Sequence, residues 1–170
     1  MFTISHQIIK RTLTTLAVCL GVWTSVPTVY AADRYMVSTN GQEVSDTKTR
    51  LTWRRCPEGL VWDGSFCAGS VSYFSHEAAL QQATSQAIAT SKAWRLPNVK
   101  ELASITDIYR NPGPAIDSVV FPSTPSDRFW SSSPNVGNAS YAWYADFYDG
   151  IVNYGLRYGN YAVRLVRSTQ

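Results

Sequence analysis

Histidine is nearly absent from this chain, with two in 170 residues. His6 falls in the N-terminal apolar segment, and His76 stands alone in the expected first turn of a helix, where a solvated side chain is a simpler reading than a base or a metal ligand. Zinc-ligand spacing, a phosphate loop and a nucleophile elbow are also missing. The chain is therefore expected to be no enzyme, with no catalytic residue, no metal and no cofactor. No apolar run approaches the ~20 residues that a bilayer-spanning helix needs. Collagen-like glycine triplets, heptads, internal repeats and low-complexity tails are lacking too.

Charge of one sign is scarce as well. Fifteen basic residues face twelve acidic ones, and Lys10 and Arg11 belong to the leader, which leaves thirteen against twelve and a net charge of +1. A polyanionic partner must then be held by local clustering, and nucleic acid is not an expected partner. Only three cysteines occur, and Cys19 lies in the leader. The remaining pair, Cys56 and Cys67, reads as a disulfide in an exported chain; ten intervening residues argue against a redox thiol pair, which normally has two.

What is present begins with an export signal. Lys10 and Arg11 close a short basic region, Thr12 to Val22 is largely apolar, and Pro27 ends it. Val29-Tyr30-Ala31 offers small residues for cleavage after Ala31 or Ala32. A cleaved leader at 1–31 and a secreted domain at 32–170 are expected, delivered to the periplasm, the cell surface or the medium. Leu16-Ala17-Val18-Cys19 has a lipoprotein-like outline, but bulky Val18 stands where a small residue is wanted.

The stretch Trp94-Arg95-Leu96-Pro97-Asn98 divides the rest. Pro97 forces Leu96 out of the helical region, and Asn98 with Glu101 forms a capping box that starts a helix. Val99, Leu102, Ile105 and Tyr109 recur at helical spacing, and Asn111-Pro112-Gly113-Pro114 is expected to stop that helix. Upstream, Ser75 caps a helix reaching about Thr90, with Ala79, Ala83 and Ala87 on one face. Strands are expected at Tyr35–Val37 and Glu43–Val44 around the Asn40-Gly41 turn, and at Leu51–Arg54 with Leu51 and Trp53 inward. Others follow at Phe129–Ser132, at Tyr141–Tyr148 returning through Asp149-Gly150 to Ile151–Tyr154, and at Tyr161–Arg167. Helices in the middle and strands at both ends predict an α+β domain, two helices on antiparallel sheet, whose N- and C-terminal strands share one sheet.

Several of these pieces together carry a resemblance: Asp46, Thr49, Leu51 and Trp53; Cys56 and Cys67; Trp94 to Asn98 with Glu101-Leu102; Phe121-Pro122; Trp130-Ser131-Ser132; and Val163 to Arg167. In order and spacing the chain resembles the C-terminal domain family of Legionella collagen-like protein. The resemblance implies a C-type-lectin-like fold. Family members of known role are exported adhesins that bind sulfated glycosaminoglycans and promote clumping, trimerised by a collagen-like stalk that is not found in this sequence. Formylglycine-generating enzymes share that scaffold and a similar Arg-Leu-Pro stretch, but they need a C-terminal cysteine pair, and here no cysteine follows Cys67.

Calcium-dependent lectins carry Glu-Pro-Asn or Gln-Pro-Asp and Trp-Asn-Asp tripeptides, none of which occurs. Asp146, Asp149 and Asn153 could offer oxygens near the hairpin, although turn formation accounts for Asp149 more simply. Two ligand surfaces remain. Arginine suits sulfate and carboxylate, which makes Arg54, Arg55, Arg95, Arg128, Arg157, Arg164 and Arg167 candidates for an acidic glycan. Alternation with Val163 and Leu165 would put Arg164 at the surface, but for Arg95 and Arg164 the favoured reading is a bridge to internal carboxylates such as Glu101 or Asp46. Tyr144, Tyr148, Tyr154, Tyr158 and Tyr161, mixed with glycine and asparagine, have a binding-loop composition, although strand preference and core filling would also account for any one of them. The expected ligand-binding set is Arg128, Tyr144, Tyr148, Tyr154, Arg157, Tyr158 and Arg164, for an acidic or sulfated glycan. A structural role in a pilus or other surface assembly, with a protein partner on the aromatic face, is the alternative.

Overall fold

Short strands joined by turns dominate the computed structural model, which describes residues 33–110 and 112–169. These belong to one compact unit, Ala32–Gln170. The expected leader and its cleavage site lie outside the described residues. The elements are β1 (Tyr35–Val37), β2 (Glu43–Asp46), β3 (Leu51–Arg54), β4 (Leu60–Trp62), β5 (Cys67–Gly69), β6 (Tyr73–Phe74), α1 (His76–Thr90), α2 (Val99–Ala103), β7 (Arg128–Pro134), β8 (Tyr141–Asp146), β9 (Val152–Leu156), β10 (Tyr161–Ala162) and β11 (Val166–Ser168). The fold is a mixed α+β one, mostly sheet with two helices.

One sheet runs β1-β2-β3-β11, so the last strand pairs with the early ones, Val166 opposite Trp53, as the sequence predicts. A second runs β6-β10-β7-β8-β9, antiparallel except where β10 meets β7. The third is the β4-β5 hairpin, clipped by the Cys56–Cys67 disulfide; closing so short a loop contributes about 3 kcal/mol on chain-entropy grounds. Trp62 on this hairpin covers Gly41, whose φ of +70° suits glycine and where any Cβ would collide with the indole.

Two cores lie on opposite faces of the second sheet. Val44, Trp53 and Val166 of the first sheet meet Phe129, Ala145 and Phe147, with Leu102 and Ile105 beside them. On the other face Trp130, Ala142 and Tyr144 pack under Ala79 and Ala83 of α1 together with Trp94 and Leu96. The alternation expected of β8 holds, but both of its faces are covered because it is an interior strand between two cores. Small residues on α1 let the helix approach Trp130 closely, while Ile88 at its far end stays exposed.

The dividing stretch is stapled on three sides. Arg95 exchanges backbone hydrogen bonds with Val166, Ser132 N–H donates to the Pro97 carbonyl at 2.7 Å, and the Asn98–Glu101 capping box forms in full. Three expectations need correction. The helix after Asn98 ends at Ala103, well short of Tyr109, which is 91% exposed. There the Ser104 and Thr106 hydroxyls donate to the carbonyls of Glu101 and Ala103, and Asp107 N–H turns away to the Ala115 carbonyl. Tyr161–Arg167 is no continuous strand either: β10 belongs to the second sheet and β11 to the first, and residues 163–165 cross between them.

The third correction concerns His76, which is buried rather than solvated. Its Nε2 lies 3.0 Å from the Ser131 carbonyl and therefore carries the proton, and its ring meets Trp130 edge-on at 5.3 Å. Burial pushes the imidazole below its ordinary pKa, with the Arg157 charge adding to the effect, and only partly offset by the Ser131 hydrogen bond and Glu77. The unfolded chain takes up this proton near pH 6.5, the folded chain at lower pH. The stability from neutral His76 is thus complete above about pH 6.5 and is lost as pH falls through the lower folded value. Melting temperatures measured between pH 7 and pH 5 should fall, and His76→Gln should flatten that slope; an unchanged slope would refute the assignment.

Candidate functional site

The C-terminal ribbon of β8 and β9 carries most of the expected ligand residues, and its register decides which of them can act together. Tyr154 sits opposite Trp143 and Asn153 opposite Tyr144, while Arg128 of β7 lies opposite Asp146. Side chains alternate along each strand. Tyr154 therefore shares a face with Tyr141 and Trp143, and Arg128 shares the other face with Tyr144 and Asp146.

On the first face Tyr154 meets Tyr141 and Trp143 edge-on, with ring centroids 5.6 and 5.5 Å apart. Tyr141 and Trp143 are half-buried and Tyr154 is 48% exposed, so the three rings form a row with accessible edges. Arg157, half-buried, donates from Nε to the Tyr141 carbonyl at 3.3 Å, and among the described residues it has no carboxylate partner. Sequence reasoning missed Tyr141 and Trp143. Two-residue alternation puts them on one strand face, but a tight Asp149-Gly150 turn would set Tyr154 opposite Ala145. Instead β8 ends at Asp146, and the longer connection over residues 147–150 sets Tyr154 opposite Trp143.

The opposite face is more closed. Tyr144 is only 6% exposed, and the Arg128 guanidinium covers it and Tyr161, 5.2 and 5.6 Å from the ring centres. Burial raises the Tyr144 phenol pKa, against the pull of Arg128. Arg128 Nε reaches Asp146 at 3.4 Å and its Nη1 the Tyr161 hydroxyl at 3.5 Å, and about half of its side chain is exposed. Tyr148 at the hairpin tip and Tyr158 in the next turn are exposed outliers, at 70% and 75%.

The remaining arginines divide by partner. Arg95 grips Glu101 through two bonds of 2.8 and 2.7 Å, the internal carboxylate that was foreseen for it. Arg167 pairs with Glu43 at 2.7 Å. Arg55 stacks on Trp62 at 3.9 Å and donates to the carbonyl of Val120. Arg54 bonds Gln86 and lies over Trp94. Arg164 corrects the expectation that it faces out: it is 0% exposed, donates from Nη1 to the carbonyls of Arg54 and Arg55 and from Nη2 to the Thr124 hydroxyl, and stacks on Phe121. A fully buried side chain cannot meet a ligand, so Arg164 leaves the set.

The oxygens considered for calcium serve their own turns. Asp149 accepts from the Ile151 N–H, Asn153 from the Tyr154 N–H, and Asp146 from the Tyr148 N–H and Arg128. Among the described residues no three His, Cys, Asp or Glu side chains gather as a metal site, and no helix is long and apolar enough to cross a membrane. The expected ligand set is thus split by the sheet, with Tyr154 and Arg128 on opposite faces and Arg164 inside. In comparison with known proteins, residues 42–167 match the family model described as the Lcl C-terminal domain. No curated protein matches the chain.

Proposed function

The chain belongs to the Lcl C-terminal domain family, and on that premise we propose that it is an exported, non-enzymatic binding module of C-type-lectin-like fold that attaches to acidic or sulfated glycans at the cell surface. Family membership points to a surface or secreted domain. The observation that carries the finer reading is the row of accessible rings Tyr141, Trp143 and Tyr154; Arg157 meets it through the Tyr141 backbone carbonyl at the His76 end of the ribbon. Sugar rings stack their apolar faces on such aromatics, and a guanidinium without an internal carboxylate is available to a sulfate or uronate. Arg128 offers a second, weaker contact, because Asp146 already holds it.

A heparin column tests this. The protein should be retained at low salt and elute as salt rises, since the attraction is electrostatic. Arg157→Gln should weaken binding about fivefold, the worth of one charge-assisted contact of about 1 kcal/mol. Trp143→Ala should weaken it comparably, whereas Arg128→Gln should do less. Flow-through at low salt, or elution indifferent to all three changes, would count against glycan binding.

A second reading has its own observation. Tyr148 and Ile151 at the hairpin tip are exposed, as are Ile108 and Tyr109, and Ile108 stands where a Cβ on Gly150 would meet it. An apolar patch of this kind suits a protein partner in a surface assembly. Co-purification with one partner, abolished by Tyr148→Ser with Ile151→Ser, would favour that role.

A further inference from the structure

Away from the ribbon, a cavity of about 220 Å3 opens between the end of β3, the disulfide hairpin and the C-terminal end of α1. Arg54, Leu60, Trp62, Gln86, Lys92 and Trp94 line it, and none of the expected ribbon residues does. Its charge follows from strand register. Glu43 sits opposite Arg54, and Arg167 opposite Thr52, so all three project from one face of the first sheet. Lys92 reaches the same place from the chain beyond α1.

One carboxylate cannot satisfy three cations. Glu43 pairs with Lys92 and with Arg167. Burial opposes its ionisation, yet those two partners hold its carboxyl below the usual range. Arg54 is left over. Its Nη2 donates to Gln86 at 2.7 Å and its plane lies 5.2 Å from the Trp94 ring centre, but among the described residues its Nε and Nη1 have no acceptor and no carboxylate is within ion-pair distance. At the end of β3 the buried Arg164 guanidinium holds the backbone carbonyls of Arg54 and Arg55, and Arg55 likewise bonds only carbonyls. One carboxylate, Glu43, set against Arg54, Lys92 and Arg167 leaves the local potential positive.

With one Nη2 hydrogen on Gln86, the second Nη2 hydrogen and its neighbour on the adjoining nitrogen still form a planar fork of the geometry that a carboxylate takes through two parallel hydrogen bonds. Beside it Leu60 and Trp62 supply an apolar wall. The volume equals the share of about seven water molecules in the liquid, enough for one ring or one amino-acid residue. We propose that this pocket binds a carboxylate borne on a small apolar body, with Arg54 and Lys92 holding the anion and Trp62 and Leu60 covering the body. A free organic acid and the last residue of a peptide chain share this chemistry. The proposal is independent of the glycan reading of the ribbon.

The test is a titration followed through the indole N–H resonances of the protein, purified with its disulfide intact. Benzoate and N-acetyl-L-phenylalanine should shift the Trp62 and Trp94 signals saturably, and benzamide and N-acetyl-L-phenylalaninamide should bind at least tenfold more weakly. A preference for N-acetyl-L-phenylalanine over benzoate would point to a peptide end, the reverse to a free acid. Arg54→Gln should weaken the acids at least tenfold and Arg54→Lys by less, each with dispersed indole signals that report an intact fold. Arg128→Gln and Arg157→Gln should leave the titration unchanged, so loss of heparin retention and loss of this binding are separate results. No saturable shift with either acid, equal binding of acid and amide, or full binding by folded Arg54→Gln would overturn the proposal.

Discussion

Arg164→Ala should destabilise the protein by about 4 kcal/mol, the loss of three buried hydrogen bonds and a filled volume less the relief of a buried charge. The substitution strips the carbonyls of Arg54 and Arg55 and the Thr124 hydroxyl of their donor, and it leaves a void against Phe121. Each buried acceptor left unmade costs about 1–3 kcal/mol. Burial pushes the guanidinium down to about 9, so it still carries its charge at neutral pH. Among the described residues no acid accompanies it. Arg164→Met makes a separate point, because it keeps the bulk on Phe121 while removing both the donors and the buried charge. It should cost about 2 kcal/mol less than Arg164→Ala, and Arg164→Lys, which cannot fork across two carbonyls, should fall between them. Urea unfolding at pH 7 reads all three. An alanine variant within 1 kcal/mol of the parent would mean that water replaces the guanidinium, and the account of residues 163–165 would fail.

The misplacement of Arg164 also shows where reading a sequence stops. Signals confined to a few neighbouring residues are legible: the Ser75 and Asn98 caps, the Cys56–Cys67 pair and the return of the last strand to the first sheet all appear as expected. The hairpin at Asp149-Gly150 forms, although β8 ends at Asp146 rather than Tyr148 and its loop is longer than a two-residue turn. Val163-Arg164-Leu165 alternates like a half-exposed strand, and alternation alone places Arg164 outward. Its acceptors are the carbonyls of residues 54 and 55, more than a hundred positions away, and no local pattern encodes them. His76 fails for a related reason, since burial comes from Trp130 and Ser131 in a distant strand. The helix after Asn98 fails differently. Apolar spacing continues past the point where Ser104 and Thr106 turn their hydroxyls back on the backbone, and competition of that kind outweighs periodicity. For the site, composition found the aromatic ribbon, but only register revealed that its residues lie on two faces.

Trp130→Ala should be the other severe change, at about 4 kcal/mol, in the range for a large aromatic removed from a core. Trp130 is 0% exposed, its Nε1–H donates to the Phe74 carbonyl at 2.8 Å, and its ring lies 4.2 Å from that of Tyr161 with His76 and Tyr144 edge-on around it. No neighbour can collapse into the space, because Ala79 and Ala83 on the covering helix are already short. For a domain of this size the melting temperature should drop by roughly 10–15 °C. Trp130→Phe should cost less than half as much, since it refills most of the volume and forfeits mainly the indole hydrogen bond. The two variants should also differ in acid. With alanine, water reaches His76, the imidazole pKa returns toward its ordinary value, and the decline in stability between pH 7 and pH 5 becomes shallower. With phenylalanine, His76 stays dry and the decline persists. If alanine lowers stability yet leaves the acid slope intact, His76 owes its shifted proton to something other than Trp130. Tyr144 and Tyr161 rest on the same ring, and Arg128 rests on them. Trp130→Ala should therefore loosen the Arg128 face of the ribbon more than the Tyr141, Trp143 and Tyr154 face, and the part of heparin retention that depends on Trp143 should largely survive it.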